Sequence, residues 1–363
     1  MSKVLLVTMD YFPNYGGVAT YYSQLVKALK PGVAVLTNVA GASDEHSNEF
    51  HVNFLWKSCS PQWLPLLWLM PRYLKKNKAK VIWVGNILPI GAAALILNLF
   101  FKIPYFISLH GLDIQLTKQT AWKKWLAKHI LNRAKFITVN SKFTAGLISE
   151  FNITLNNVIV VYPSPALLPS PQTELIASLR EKYKIKNKRV ILTVSRLVKR
   201  KNIAQVVEAM AELVKIYPEA VYIIIGDGPE RQSLEDKVKE LNANTYLIGT
   251  VSQAELAVWY NLCDIFVLTP ISDLVDVEGF GVVYTEALSL GKSVVASNVG
   301  GVAEAVGKFG KYVNSSSELV YTLKELLIDD NLRQKLGVEG REYAKQYNLP
   351  NQANKISSRL GGI

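Results

Sequence analysis

Short runs of apolar and β-branched residues alternate along this chain with segments whose apolar positions recur at helical spacing. Several of the runs are apolar throughout, which is typical of parallel strands that helices cover on both faces. Alternation of this kind predicts doubly wound α/β domains. The predicted strands, in chain order, are Val4–Met9, Val33–Thr37, Val81–Val84, Tyr105–Leu109, Phe136–Val139, Val158–Val161, Val190–Val194, Val221–Ile225, Thr245–Ile248, Ile265–Leu268 and Ser293–Ala296.

A proline-rich segment interrupts this alternation near the middle of the chain. Four prolines lie between Pro163 and Pro171, a density that predicts a linker. We therefore predict a first domain over residues 1–165, a second over 172–345 and a tail over 346–363. Ligands of doubly wound sheets bind outside the carboxyl ends of the strands, so domains joined here would face each other across a cleft.

Composition supports a globular protein. The 363 residues are 49% apolar and 19% charged, which favours a filled core over disorder. The two cysteines, Cys59 and Cys263, form no C-x-x-C pair, so a disulfide framework or zinc site is disfavoured and a reducing cytosol is favoured. The apolar run within Ser2–Thr8 is too short for the hydrophobic region of a signal peptide and is expected to form the first strand.

Positive charge is concentrated in the first half. Residues 1–160 hold 17 Lys and Arg against 6 Asp and Glu, whereas residues 161–363 hold 24 against 23. Two segments, Trp56–Lys78 and Ala121–Lys135, combine tryptophans with basic residues, a pattern typical of binding at a membrane interface. A core-packing face with solvated lysines is the alternative, and the charge asymmetry favours an anionic membrane. The apolar run Leu88–Phe101 falls short of the roughly 20 residues that span a bilayer, and we expect a buried helix.

The stretch Glu278–Glu286 has the composition of a ligand site. Two carboxylates, with seven residues between them, bracket a glycine-rich entry into a predicted helix. Glycines leave backbone N–H groups open to a ligand, and a helix N-terminus favours phosphate. Glu278 can point at the reacting part of that ligand, while Glu286 can accept hydrogen bonds from vicinal hydroxyls. Two solvated glutamates are the alternative, but Val282 and Ser289 share the face of Glu286 and argue against it. The stretch predicts a nucleotide-sugar site.

This stretch resembles the E-x-seven-E signature of the retaining glycosyltransferases of family 4, which have the GT-B fold. The resemblance implies two Rossmann-like domains facing across a cleft, with the donor held in the second. It implies that Glu278 is catalytic, orienting the sugar or stabilising positive charge near its anomeric carbon, and that Glu286 holds the ribose. Same-face attack by the acceptor is the implied course, without a covalent nucleophile. The other donor-binding residues that it implies in this stretch are Gly279, Phe280, Gly281 and Val282.

Two elements of the first half fit the same family. Gly16 and Gly17 follow the first strand, where paired glycines permit close backbone approach to a phosphate or sugar. His110, Gly111 and Asp113 resemble the family's H-G-x-D/E element, in which the histidine can hydrogen-bond a hydroxyl of the transferred sugar. We therefore predict that Gly16 and Gly17 bind the donor and that His110 is catalytic.

Basic residues of the second half match the family's diphosphate-binding pair. Arg196 and Lys201 follow the first strand of the second domain, where fixed cations would stabilise the charge that builds on the leaving nucleoside diphosphate. Lys199 and Arg200 are expected to be a solvated basic helix end. Main chain around Gly249 would contact the base, and the segments Gly226–Arg231 and Gly300–Glu304 would lie near the donor.

The chain also departs from the family pattern. Lys292 and Ser293 stand where Leu-Pro or Met-Pro is frequent, and Tyr347 replaces a frequent tryptophan near the tail, which in GT-B enzymes crosses back to the first domain. The segment Ile271–Val277 is somewhat similar to the phosphatidylinositol mannosyltransferase subgroup, without identifying a substrate. No D-x-D sequence or metal-spaced cluster occurs, so we expect no cofactor and no essential metal, with Arg196, Lys201 and a helix dipole in its place.

These observations predict a cytoplasmic retaining hexosyltransferase, peripherally bound to the inner face of the membrane. It would move a sugar from a UDP- or GDP-sugar to a lipid-linked or glycan acceptor in cell-envelope glycan or glycolipid synthesis. Two alternatives remain at this point: a UDP-sugar 2-epimerase on the same fold, and a basic nucleic-acid-binding α/β protein. The tryptophans lie in apolar runs and not in a basic groove, so we expect no nucleic-acid partner.

Overall fold

The computed structural model describes residues 3–13, 16–38, 48–153, 157–272 and 277–362. The chain forms two compact units. The first comprises Met1–Ser164 together with Tyr347–Ile363, and the second comprises Pro165–Gln346.

The first unit is built on a seven-stranded parallel sheet with the strand order β3-β2-β1-β4-β5-β6-β7. Its strands are β1 (Val4–Thr8), β2 (Val33–Thr37), β3 (Glu49–His51), β4 (Val81–Val84), β5 (Tyr105–Leu109), β6 (Ile137–Val139) and β7 (Val158–Val160). In register, Leu6 of β1 lies beside Val35 of β2 and Trp83 of β4. The order reverses between β1 and β4, which makes the carboxyl ends of these two strands the expected ligand-binding edge.

Helices cover both faces of this sheet. They are α1 (Gly17–Leu29), α2 (Leu66–Asn77), α3 (Ile90–Phe101), α4 (Leu112–Lys118), α5 (Ala121–Arg133), α6 (Lys142–Ile148) and the last helix of the chain, α15 (Leu349–Leu360). Side chains alternate between the faces of a strand, so Val4 and Leu6 pack with α1 and α15, while Leu5 and Val7 pack with α2, α3 and α5. Residues at the end of the chain thus complete the core of the first unit.

The second unit repeats the architecture with a six-stranded parallel sheet in the order β10-β9-β8-β11-β12-β13. Its strands are β8 (Arg189–Val194), β9 (Ala220–Ile225), β10 (Thr245–Gly249), β11 (Ile265–Leu268), β12 (Ser293–Ala296) and β13 (Lys311–Tyr312). Its helices are α7 (Thr173–Lys182), α8 (Ile203–Ile216), α9 (Arg231–Glu240), α10 (Gln253–Leu262), α11 (Val282–Ser289), α12 (Val302–Val306), α13 (Ser316–Ile328) and α14 (Asp330–Ala344). Here the order reverses between β8 and β11.

The prediction of doubly wound parallel α/β architecture is confirmed for both units. Two edge strands, β3 and β13, were not predicted, because runs of three and two residues carry too little apolar pattern to stand out. The buried helix expected over Leu88–Phe101 is wrong at its end. Helix α3 buries its first turns, but Phe100 and Phe101 are 75% and 69% exposed. Among the described residues, no helix is long and apolar enough to cross a membrane.

Candidate active site

Two loops of the second unit leave the sheet where its strand order reverses. One follows β8 and contains Arg196 and Lys201, and the other follows β11 and leads through Glu278 into α11. Both loops begin at carboxyl ends of parallel strands, the edge at which such sheets bind ligands. Residues 273–276, within the segment similar to the mannosyltransferase subgroup, lie outside the described residues. The fold therefore brings together two stretches that lie far apart in the sequence.

Glu278 is the centre of this arrangement. Its Oε2 accepts a hydrogen bond of 2.9 Å from Nη1 of Arg200 and another from Nζ of Lys201. The Glu278 side chain is only 11% exposed. Burial alone would raise the pKa of its carboxyl group, but the charges of Lys201 and Arg200 outweigh burial and lower that pKa to about 2. Glu278 is therefore ionised and fixed, although it is buried.

The position of Arg200 corrects an expectation from the sequence. Arg200 is not part of a solvated helix end, because its guanidinium contacts Glu278, whereas Lys199 is exposed as expected. A short 3-10 turn over Lys199–Lys201 directs the consecutive side chains of Arg200 and Lys201 to the same carboxylate. The carbonyl of Arg200 also accepts a 2.8 Å hydrogen bond from the N–H of Ile271, which ties this turn to the loop after β11.

Arg196 differs from both neighbouring cations. Its side chain is exposed, and no ion pair or hydrogen bond of its guanidinium involves any residue that the structure describes. Its backbone is nevertheless well packed, since a Cβ added to Gly226 would lie 1.9 Å from the carbonyl oxygen of Ser195 and one added to Gly228 would lie 2.3 Å from that of Leu197. Glycines of the loop after β9 thus allow close backbone contact, and Arg196 presents an exposed cation on a closely packed main chain.

Glycines also shape the entry into α11. Gly281 has a φ of +86°, and a Cβ there would lie 2.6 Å from the ring of Tyr284. The N–H of Gly301 donates a 2.8 Å hydrogen bond to the carbonyl of Glu278, where a side chain would collide with Gly279. Phe280 packs its side chain in the interior, and Val282 is the first residue of α11. This backbone packing leaves the first N–H groups of the helix without a side-chain cap, as a phosphate site requires.

Glu286 lies in a different environment from Glu278. It is 6% exposed, and its Oε2 accepts a 2.8 Å hydrogen bond from the hydroxyl of Tyr260, while its Oε1 accepts one of 3.4 Å from the N–H of Ala166. Burial raises the pKa of Glu286, and these hydrogen bonds oppose the increase only in part. Each carboxylate oxygen retains a lone pair after these contacts, so Glu286 can still accept hydrogen bonds from hydroxyl groups.

In the first unit, Asp113 shapes the turn that carries His110. Its carboxylate accepts hydrogen bonds from the N–H groups of His110, Gly111 and Ile114 at 3.1, 3.0 and 2.9 Å. Burial raises the pKa of Asp113 to about 6, and these backbone bonds act in the opposite direction. Gly111 has a φ of +104°, a conformation that glycine adopts readily. The H-G-x-D sequence is therefore a compact turn that fixes His110 just beyond β5.

The tautomer of His110 follows from its partner. The hydroxyl of Tyr22 donates a 2.8 Å hydrogen bond to the carbonyl of Gly85, so its oxygen accepts the 2.9 Å bond from Nε2 of His110. Burial lowers the pKa of His110 to about 3, which keeps the ring neutral at physiological pH. Nδ1 then carries a lone pair and can accept a hydrogen bond from a hydroxyl group.

The remaining predicted residues are glycines of two kinds. Gly16 and Gly17 stand at the start of α1, where an added Cβ would meet nothing within 4 Å. Gly249 ends β10 with a φ of +89°, and its carbonyl accepts a 2.9 Å hydrogen bond from the N–H of Gly226. The first two leave open space beside the backbone, whereas Gly249 fixes the loops at the edge of the second sheet.

Among the described residues, three side chains that hydrogen-bond the predicted carboxylates and imidazole were not identified from the sequence. They are Arg200 beside Glu278, Tyr260 beside Glu286 and Tyr22 beside His110. Proximity to Lys201 was a signal for Arg200, but the two tyrosines occupy ordinary helical positions. Within the ranges that the structure describes, no group of three His, Cys, Asp or Glu side chains could hold a metal ion.

The chain matches two protein-family models and is similar to characterised glycosyltransferases. Residues 15–164 match the family model "Glycosyltransferase Family 4", and residues 176–343 match "Glycosyl transferases group 1". The chain is 26% identical over 360 residues to the GDP-mannose-dependent α-(1-6)-phosphatidylinositol monomannoside mannosyltransferase of Mycolicibacterium smegmatis, which covers 94% of this chain and 93% of the relative. It is also 26% identical over 351 residues to the α-monoglucosyldiacylglycerol synthase of Acholeplasma laidlawii, covering 88% of this chain and 86% of the relative.

One solved structure has the same fold over the whole length of the chain. HepE of Anabaena, crystallised in complex with UDP and glucose, superposes with a TM-score of 0.82 at 20% identity and covers 100% of both chains. At this identity the likeness shows the fold, which confirms the GT-B prediction. The two family models together match most of the chain and decide against the epimerase and the nucleic-acid-binding protein. The chain therefore belongs to glycosyltransferase family 4 and is a retaining hexosyltransferase that uses a nucleotide-sugar donor.

Proposed function

We propose that this enzyme transfers a hexose from a UDP- or GDP-sugar to a lipid-linked acceptor at an anionic membrane surface, on the cytoplasmic side, in cell-envelope glycan or glycolipid synthesis. The observation that carries the donor half of this proposal is the buried, ionised Glu278 beside Lys201 and the uncapped start of α11. An anion-binding helix end, a cation and a fixed carboxylate are groups that can stabilise the charges that develop when a sugar–phosphate bond breaks.

Each group has a distinct part in that reaction. Bond breakage transfers negative charge to the leaving diphosphate, which Arg196, Lys201 and the N–H groups of α11 would stabilise more strongly in the transition state. Positive charge develops at the anomeric carbon, where the carboxylate of Glu278 would stabilise it or orient the sugar. Glu286 would accept hydrogen bonds from the ribose, and Nδ1 of His110 would accept one from a sugar hydroxyl. Attack by the acceptor on the face that the diphosphate leaves gives retention.

Thermal melting with added donors tests this proposal. UDP-glucose, GDP-mannose and ADP-glucose would each be added separately, because a ligand that binds only the folded state stabilises it, by about 2.7 kcal/mol at 100 times its dissociation constant. We expect one nucleotide class to raise the melting temperature and the others to have little effect. If none of the three raises it and none is turned over, the donor assignment is wrong.

Removing the contact between Glu286 and the ribose should lower the affinity for the donor. Glu286→Gln keeps the shape of the side chain but removes its charge, and we expect weaker donor binding with the fold retained. Since Gln can still accept the hydrogen bond from Tyr260, the surrounding helices should pack as before. Calorimetric titration with the donor measures the effect, with Glu240→Gln on the surface of α9 as the matched control. Unchanged affinity would remove Glu286 from the ribose site.

The reaction is expected to proceed without a divalent metal. Arg196 and Lys201 supply positive charge where other transferases use Mg²⁺, and the sequence contains no D-x-D. Activity should therefore persist in EDTA and gain little from added Mg²⁺ or Mn²⁺. Activity that EDTA abolishes and either ion restores would contradict this prediction.

The lipid half of the proposal is supported by the relatives and by the surface of the first unit. Both relatives are named for reactions of lipids, a phosphatidylinositol mannoside and a glucosyldiacylglycerol. Helices α2, α3 and α5 cover the same face of the sheet, and their outer sides expose large aromatic side chains. Those at least 50% exposed are Trp68, Phe100, Phe101, Trp122 and Trp125. Trp63, by contrast, packs partly against the core.

Lysines accompany these aromatic residues: Lys75, Lys76 and Lys124 are exposed and Lys123 is half-buried. The combination suits an anionic interface. Each basic residue near such a surface contributes about 1 kcal/mol, an attraction that salt screens. We expect sedimentation with phosphatidylglycerol vesicles, little with phosphatidylcholine vesicles, and release as salt increases. Replacing Lys75, Lys76, Lys123 and Lys124 with serine should weaken binding without unfolding the protein.

A variant of equal charge loss in the second unit provides the control. It replaces four exposed lysines with serine: Lys215, Lys239, Lys324 and Lys335. We expect this control to sediment like the wild type. Equal binding of both vesicle types, or an equal loss in both variants, would contradict docking through this face of the first unit.

A further inference from the structure

We propose that Arg200 is a positioning residue that takes over Glu278 when Lys201 turns to the donor diphosphate. This inference rests on the proposed function, because it requires Lys201 to bind that diphosphate. Arg200 would touch neither the sugar nor the phosphate. Its part would be to keep one carboxylate charged and in place while the other cation changes partner.

Two cations share a single carboxylate oxygen of Glu278. Both Nη1 of Arg200 and Nζ of Lys201 donate to Oε2 of Glu278. One cation is enough to pair one carboxylate, and the side chains of Arg200, Lys201 and Glu278 are 18%, 11% and 11% exposed. A second buried cation at the same oxygen carries a desolvation cost that an isolated ion pair would not require. The site therefore carries a net positive charge, which a second anion such as a diphosphate would neutralise.

Lys201 is the cation that can change partner. Its flexible four-carbon stem carries a compact charge. The backbone of Arg200, by contrast, is held by the hydrogen bond from the N–H of Ile271 to its carbonyl, and its guanidinium is planar and rigid. A donor diphosphate would compete with Glu278 for Lys201. Without Arg200, Glu278 would then be a buried carboxylate beside a newly bound anion, and both circumstances favour its protonation.

Among the residues that the structure describes, the other groups that face Glu278 supply no third positive charge. The ring of Tyr284, from α11, lies beside Gly281, and its hydroxyl donates to the carbonyl of Leu268, while Gly300 and Gly301 present only backbone. Burial and, to a lesser extent, the charge of Glu278 raise the pKa of Tyr284, whose hydroxyl therefore stays neutral. Arg200 and Lys201 are thus the two groups that hold the pKa of Glu278 low.

The pH dependence of donor affinity tests this role. The diphosphate of a nucleotide sugar is a diester and does not titrate near neutrality, so a change of affinity with pH reports protons taken up by the protein. The wild type should bind its donor, UDP-glucose or GDP-mannose, with nearly constant affinity between about pH 5.5 and 8. In Arg200→Met, Glu278 would have no remaining cation once the donor takes Lys201, so Glu278 would take up a proton on donor binding. Because binding is then coupled to proton uptake, donor affinity should fall as pH rises, by up to about tenfold per pH unit.

Three companion variants assign the effect. Arg200→Lys should restore the flat profile, since it returns a cation. Lys199→Met, which removes an exposed charge from the same turn, should behave like the wild type. The double variant Arg200→Met with Glu278→Gln should be flat again, because the titrating carboxyl group is gone. Arg200→Gln removes the same charge but keeps a hydrogen-bond donor, and replaces Arg200→Met if that variant does not fold.

The outcomes separate this inference from the proposed function. A folded, donor-binding Arg200→Met or Arg200→Gln whose profile is as flat as that of the wild type would overturn the role of Arg200 alone. A slope that persists in the double variant would also overturn it, because the proton would belong to another group. A wild type that binds no nucleotide sugar would refute both.

Discussion

Arg196→Ala is expected to lower turnover by on the order of 30- to 1,000-fold, corresponding to about 2–4 kcal/mol of transition-state stabilisation. The estimate follows from the loss of one charge-assisted contact to a group whose negative charge grows during the reaction. Because the guanidinium of Arg196 is exposed and makes no ion pair with the described residues, removing it should leave stability almost unchanged. Initial rates at saturating donor, with melting temperatures measured in parallel, provide the readout.

The matched control is Lys199→Ala, which removes an exposed positive charge from the same segment. If only the overall positive charge of the segment mattered, both variants would lose activity to a similar extent. A specific diphosphate contact would lower only that of Arg196→Ala. Turnover within about threefold of the wild type would contradict the assignment of Arg196, given that a single lost donor is worth far more.

Glu278→Gln is expected to abolish most turnover, by on the order of 100- to 1,000-fold if its electrostatic contribution resembles that of a lost oxyanion donor. Binding of the nucleoside diphosphate should respond in the opposite direction. Because Glu278 pairs with Lys201, removing its charge releases that cation for an incoming anion, while the nearby charge of Arg200 is no longer neutralised. We therefore expect UDP or GDP to bind as tightly as in the wild type, or more tightly, while catalysis is lost.

The stability of this variant is part of the same prediction. Removing one partner of a buried ion pair costs about 3–5 kcal/mol, and Gln recovers part of that by accepting hydrogen bonds from the cations. A lower melting temperature that bound UDP or GDP restores would fit an anion replacing the missing carboxylate. Glu240→Gln, on the exposed side of α9, serves as the control for loss of a surface charge. Near-normal turnover, or diphosphate binding weakened along with turnover, would contradict the role of Glu278.

The sequence by itself determined the architecture of both units. Parallel strands buried on both faces must be apolar along their whole length, so the residues of each strand are enough to identify it. The strands predicted over Val33–Thr37, Val81–Val84 and Ile265–Leu268 have the same bounds in the structure. It also indicated which stretches would meet at the candidate site. Lys201 and Glu278 each follow a strand, and parallel strands deliver their carboxyl ends to one edge. The edge strands β3 and β13 are too short to carry such a pattern.

Only the tertiary structure decided how the site's side chains are paired. Whether Arg200 faces water or Glu278 depends on a 3-10 turn and on a backbone contact to Ile271, which lies 71 residues further along the chain. The tautomer of His110 likewise depends on Tyr22, brought to it from α1. Exposure is decided in the same way, because Phe100 and Phe101 are as apolar as the buried residues before them. Apolar pattern is a local property of the chain, whereas partners and solvent access depend on residues that only the folded core brings near.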